Sequence, residues 1–270
     1  MEQRASPWRI AVNATAVAIL IFLLLPSLII IPISFGDANQ IVFPPEGFSL
    51  ILFRRFFNEP GWVEAAWLSF RVALWATAIA VCLGVPAAYA LARGRFPGKQ
   101  LLGLFLLSPI MIPHVVIALA LFVYFFQIHL SHGELRLVVA LGVATLPFVI
   151  VTSHAGIRNI DPVLEQAATV MGAGRALVLR RVTIPLLYPS IISGALFAFL
   201  IAFDEIVISW FVAKAGYTTL PVKMFSSIKW ETSPVLASIS TMLTGLSVVI
   251  AVIVVLVQRN QSDAEGASRS

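Results

Sequence analysis

The chain has 270 residues, of which 59% are hydrophobic and only 11% charged, and its formal net charge is +5. Soluble globular domains carry roughly 25% charged residues, so there is too little polar side chain here to cover a water-facing surface. A soluble enzyme, a disordered chain and a nucleic-acid-binding module are thereby excluded, and the expected environment is a bilayer.

In lipid every backbone polar group must be satisfied internally, which leaves helices or closed barrels. The apolar residues come in long continuous runs and not in alternating strands of about ten residues, so helices are expected. Six runs are long enough to cross: 10–34, 68–92, 101–126, 135–153, 184–209 and 236–257. The expected fold is an all-α membrane protein with six transmembrane helices. Residues 1–258 form a single transmembrane domain, and the polar stretch 259–270 is expected to be a disordered cytoplasmic tail.

The first run follows Arg4 and Arg9, as in a signal peptide, but it is longer than the usual apolar core of one and no small-residue cleavage site follows. It is expected to remain as the first span. The short basic loop Arg93–Lys99 and the later Arg158, Arg175, Arg180 and Arg181 put an excess of positive charge on one side. Positive loops stay cytoplasmic, so both termini are expected inside. Proline falls within the spans at Pro26, Pro86, Pro109, Pro113, Pro147 and Pro189, each removing a backbone hydrogen bond and able to kink its helix. Trp62, Trp67, Trp210 and Trp230 are expected in an outer aromatic belt, with Trp8 at the inner one. The lone Cys82 cannot pair internally and is expected as a small core residue. No Cys/His cluster has metal-ligand spacing.

The long segment 158–183 between the fourth and fifth runs is the most informative. Asp161-Pro162 reads as a helix start, with Asp able to cap and Pro suited to the first turn. Val163, Ala167 and Val170 share a face, with Leu164, Ala168 and Met171 beside them. Gly172 and Gly174 interrupt this helix, and a second short basic helix over about 175–183 is expected before Pro185 opens the fifth span. An amphipathic helix lying in lipid headgroups would want aromatic anchors. This stripe is rich in alanine instead, which suits close docking into a protein groove.

This stretch resembles the EAA loop of permease subunits of binding-protein-dependent ABC importers. The family pattern is Glu-Ala-Ala, three residues, Gly, nine residues, then Ile-x-Leu-Pro. The chain has Gln166-Ala167-Ala168, three residues, Gly172, nine residues, then Val182-Thr183-Ile184-Pro185. The motif glutamate is replaced by Gln166, although Glu165 precedes it. The resemblance implies the type I importer fold, with this loop as a coupling helix seated in a cleft of a cytoplasmic ATPase. Glu165, Gln166, Ala167, Ala168, Gly172 and Pro185 are the implied coupling residues. The chain carries no Gly-x-x-x-x-Gly-Lys-Ser/Thr phosphate loop. ATP and Mg are therefore expected on a partner ATPase, with no cofactor and no catalytic site in this chain. The implied partners are a second permease subunit as a heterodimer, two ATPase subunits and an external solute-binding protein, in a bacterial inner membrane.

The second informative segment is Phe203-Asp204-Glu205-Ile206 near the end of the fifth run. Charged residues inside spans are costly and mark solute paths by default. The plainer reading is an interfacial or ion-paired role. The segment, with Thr218-Thr219-Leu220-Pro221-Val222-Lys223-Met224 and Ser233-Pro234, resembles the second permease subunit of spermidine/putrescine importers. That implies a polyamine or another organic cation as solute and Asp204 and Glu205 on its path. Permeases for other small solutes share the general scheme. His114, after Pro113, would line a path, relay protons or hydrogen-bond between helices. A stand-alone channel or ion-driven carrier would want more charge within the core, and an intramembrane enzyme would want a catalytic motif that is absent here. Neither explains the glycine-bent loop.

Overall fold

The computed structural model describes residues 7–37, 41–230, 233–249 and 252. The helices are α1 (Pro7–Ser34), α2 (Ile51–Asn58), α3 (Trp62–Arg93), α4 (Lys99–Met111), α5 (His114–Gln127) and α6 (Gly133–Asn159). Then come α7 (Pro162–Val170), α8 (Arg175–Val178), a π turn (Leu179–Thr183), α9 (Ile184–Asp204), α10 (Val207–Val212), α11 (Leu220–Trp230) and α12 (Val235–Val249). No strand occurs among the described residues.

Among the described residues, four helical stretches are long and apolar enough to cross a membrane: Val12–Ser34, Trp62–Arg93, Gly133–Asn159 and Arg175–Asp204. The third apolar run departs from a straight span. It breaks at Ile112-Pro113 into α4 and α5, bent by 106°. Pro113 has no N–H to continue the ladder, and its ring pushes the preceding residue out of the helical region. Ile112 accordingly sits at φ −88°, ψ 131°. The fifth run also stops early, at Asp204, and resumes as α10. The sixth run is α12 as far as Val249; its far end and the tail 259–270 lie outside the described residues.

The chain divides into two units. The first comprises residues 1–62 and 226–270. Within it α2 and α12 meet: Ser238 Oγ donates to the Leu52 carbonyl at 3.2 Å, and Leu52, Val235, Ala237 and Ile239 are buried. Trp62 is buried here and takes no place in an aromatic belt, whereas Trp8 and Trp230 are exposed.

The second unit is residues 63–225. α6 packs along α9, and α10 lies against both α5 and α6. Close approach of α6 and α9 depends on two glycines: a Cβ at Gly156 would collide with Ser190 Oγ, and one at Gly194 with Thr152 Oγ1. Small residues at such crossings let backbones meet where no hydrophobic force separates protein from lipid. One core cluster gathers Val72, Ala76, Phe125, Leu137, Leu141 and Ile208. A second joins Ala88, Ile150, Ile157, Ile160 and Leu187 at the other end of α6. Cys82 is exposed on α3, outside both clusters, contrary to the core position expected of it.

Candidate functional site: the α7 segment and the break after Asp204

α7 begins as its sequence requires. Asp161 is its cap, its carboxylate accepting the Val163 N–H at 2.9 Å, and Pro162 occupies the first turn. It ends where Gly172 takes φ +89°, a left-handed conformation that glycine adopts without a Cβ penalty. Of the apolar stripe, Ala168 is buried, while Val163, Leu164, Val170 and Met171 are exposed. α7 thus fixes one side inward and leaves an apolar tip uncovered.

The expected second short helix does not stand apart. α8 runs through the π turn into α9 as one stretch, Arg175–Asp204. The π turn ends two residues before Pro185, the residue whose ring displaces the preceding turn of an α-helix.

Glu165, and not Gln166, takes the inward position. Its side chain is 14% exposed, with Oε2 3.2 Å from Arg93 Nε. Its Oε1 accepts from Thr183 Oγ1 at 2.8 Å, and Thr183 is fully buried. Arg93 Nη2 in turn donates to the Ile160 carbonyl at 2.7 Å and the Ile157 carbonyl at 3.2 Å. One carboxylate and one guanidinium therefore join the end of α3, the end of α6, α7 and the π turn. Gln166 and Ala167 are exposed, and Pro185 is exposed on α9. Gln166 lines a cavity of about 990 Å³ with Arg93, Arg95, Lys99 and Arg175.

At its other end α9 stops because Glu205 is extended, with φ −75° and ψ 116°. The Glu205 carboxylate is fully engaged: Oε1 accepts the Ile208 N–H at 3.0 Å, capping α10, and Oε2 lies 2.8 Å from His114 Nδ1. The Glu205 side chain is only 10% exposed. Asp204, the last residue of α9, is exposed. Two adjacent acids thus have unlike settings. Glu205 does pair, as the plainer expectation had it, but with His114 and not with a Lys or Arg.

Sequence reasoning missed Arg93 and Thr183 as partners of Glu165. Arg93 was legible only as a topology-setting charge, and Thr183 as the variable position of the motif. It also missed Arg71, which reaches from α3 to Glu134 on α6 at 3.0 Å.

Residues 80–262 match the family described as the binding-protein-dependent transport system inner membrane component. The chain belongs to this family. The permease is 31% identical to the spermidine/putrescine transport system permease protein PotC of Haemophilus influenzae, over 93% of this chain and 97% of that one. It is also 31% identical to the putrescine transport system permease protein PotI of Escherichia coli K12, over 89% of this chain and 86% of the relative. Among solved structures it resembles a chain of a bacterial ABC transporter involved in the import of the acidic polysaccharide alginate. The TM-score is 0.73 at 16% identity, covering 96% of this permease and 98% of that chain. It also resembles a chain of the MetNI methionine ABC transporter, with TM-score 0.57 at 17% identity over 73% of this permease and 91% of that chain. At these identities the likeness concerns the fold, which is that of type I importer permeases. The protein is a multi-pass, all-α inner-membrane permease subunit of an ABC importer.

Proposed function

We propose that this permease forms half of an alternating-access path for polyamines, or another organic cation, in an ATP-driven importer. The observation that carries the cation reading is the placement of Asp204. α9 breaks immediately after it, leaving its carboxylate exposed at the helix's C-terminal end. That end already carries partial negative charge from unpaired carbonyls, which disfavours an acid there by about 0.3–1 kcal/mol. Acid and carbonyls together favour a cation, and half-helix C-terminal ends are used that way in transporters. The polyamine names of the two relatives support the same class.

α7 is the coupling helix in this reading. Its exposed tip, with Ala167 and the turn at Gly172, enters a cleft of the ATPase, and Ala168 faces back into the permease. Glu165 passes the movement to α3 and to α9, while Gln166 and Pro185 flank the contact. ATP and Mg belong to two partner ATPase subunits, and this chain supplies no cofactor site. A second, non-identical permease and an external binding protein complete the assembly, with both termini cytoplasmic and residues 1–258 acting as one permease domain.

The test is uptake of radiolabelled spermidine by cells that lack their own polyamine uptake and express this permease together with its partner subunits. ATP-dependent accumulation competed by unlabelled putrescine, together with co-purification of an ATPase and a second permease, is the expected result. Co-purification without spermidine or putrescine uptake would remove the cation reading. A stable homo-oligomer with no ATPase would remove the importer assembly.

A further inference from the structure

We infer that His114 is a positioning residue for the solute site, and that of the two adjacent acids only Asp204 meets the solute. The inference rests on the reading of Asp204 as part of the path and assigns the roles within it. The two breaks in the transmembrane helices, at Ile112-Pro113 and at Glu205-Ile206, are brought together by one contact, His114 Nδ1 to Glu205 Oε2 at 2.8 Å. His114 is the first residue of α5, and Glu205 caps the first turn of α10. The Glu205 carboxylate thus sits at the N-terminal ends of two helices that pack against each other, where an anion is favoured.

With Glu205 ionised, a carboxylate only accepts, so the imidazole Nδ1 carries the hydrogen. Both Glu205 oxygens are then used within the protein, and its side chain is nearly buried. Asp204 has the opposite setting: it is exposed, at a helix C-terminus, and makes no hydrogen bond or ion pair among the described residues. Glu205 keeps the backbone extended immediately after Asp204, which is what ends α9 there. His114 holds Glu205 in that role from α5. Without the contact, Glu205 is free to swing toward an incoming cation, and the break loses one of its two side-chain restraints.

The experiment uses the complete importer in proteoliposomes with saturating spermidine-loaded binding protein, read as spermidine delivered per ATP hydrolysed. Asp204→Asn should lower this ratio roughly tenfold, the size of one hydrogen bond to a charged group. His114→Leu should lower it by a similar factor while the stimulated ATPase rate stays within about twofold. His114→Asn, whose side-chain amide can place a donor close to the position of Nδ1, should recover most of the ratio. A merely structural defect would reduce ATPase rate and transport together, and Asn would not rescue it. If Asp204→Asn lowers the ratio but His114→Leu does not, or if His114→Asn is no better than Leu, the role of His114 is overturned while the site stands. If Asp204→Asn leaves the ratio unchanged, the site itself is overturned and this assignment with it.

Discussion

Glu165→Ala isolates the contact that ties α7 to the rest of the permease. Two interactions are lost: the 2.8 Å bond from Thr183 Oγ1 and the 3.2 Å approach of Arg93 Nε. Hydrogen bonds to charged groups contribute about 1.5–3 kcal/mol each. Arg93 keeps its bonds to the carbonyls of Ile157 and Ile160, so it is not stranded and its share falls at the low end. Thr183 is fully buried, and its hydroxyl loses its only side-chain acceptor among the described residues. The sum is about 3 kcal/mol, which corresponds to roughly a 150-fold change in a two-state equilibrium between held and released α7. The assay is solute delivered per ATP hydrolysed in proteoliposomes, at matched membrane abundance of all subunits. Glu165→Ala should lose most coupled transport. Glu165→Gln should fall between it and the wild type, because the amide oxygen still accepts from Thr183 while Arg93 loses its counter-charge. The exposed Gln166→Ala should cost less than Glu165→Ala. A Glu165→Ala importer with the wild-type ratio, or a larger defect at Gln166 than at Glu165, would refute the reasoning.

Gly172→Asp forces a side chain onto φ +89° and adds charge at the tip of α7; the strain is about 1–2 kcal/mol. Uptake should be lost at normal membrane abundance, checked by immunoblot beside uptake. Gly194→Val drives a side chain into Thr152 between α6 and α9. Overpacking of this kind costs about 1–3 kcal/mol, so the melting temperature of the purified complex should drop clearly. Arg71→Ala removes the 3.0 Å pair with Glu134, but both side chains are substantially exposed, at 42% and 32%. A change of at most about 1 kcal/mol is expected, seen as a small shift in the same melting experiment.

The apolar runs made the membrane class and the helix content legible, and the Asp161-Pro162 start and Gly172 stop of α7 were read correctly because caps and left-handed turns are local chemistry. The path of the third run was not legible. Pro109 and Pro113 look alike in sequence, yet Pro109 stays inside α4 while Pro113 ends it, so residue type alone does not tell the two apart. The Glu165–Arg93 and Glu205–His114 pairs lie beyond any helical repeat, so spacing rules cannot find them. The motif also pointed to position 166 as the acidic one, whereas the structure turns its neighbour inward. Cys82 misled for a related reason: an all-apolar helix surface in lipid gives no signal of which side faces the protein.

The π turn at Leu179–Thr183 carries a consequence for how this segment tolerates change in length. A π turn is an α-helix with one surplus residue accommodated in a widened loop of backbone. Each residue of an α-helix advances the face by about 100°. Removing one residue from this turn would therefore restore an ordinary helix with its two ends nearly in phase, whereas removing one from the regular helix of α9 would rotate everything on its N-terminal side by that angle. After the second deletion Thr183 would turn away from Glu165, which Arg93 holds at the end of α3. The π turn is thus the place where this stretch can lose a residue and keep its phase, while the same loss in the span that follows would put the part of the permease that receives movement out of step with the part that carries it onward.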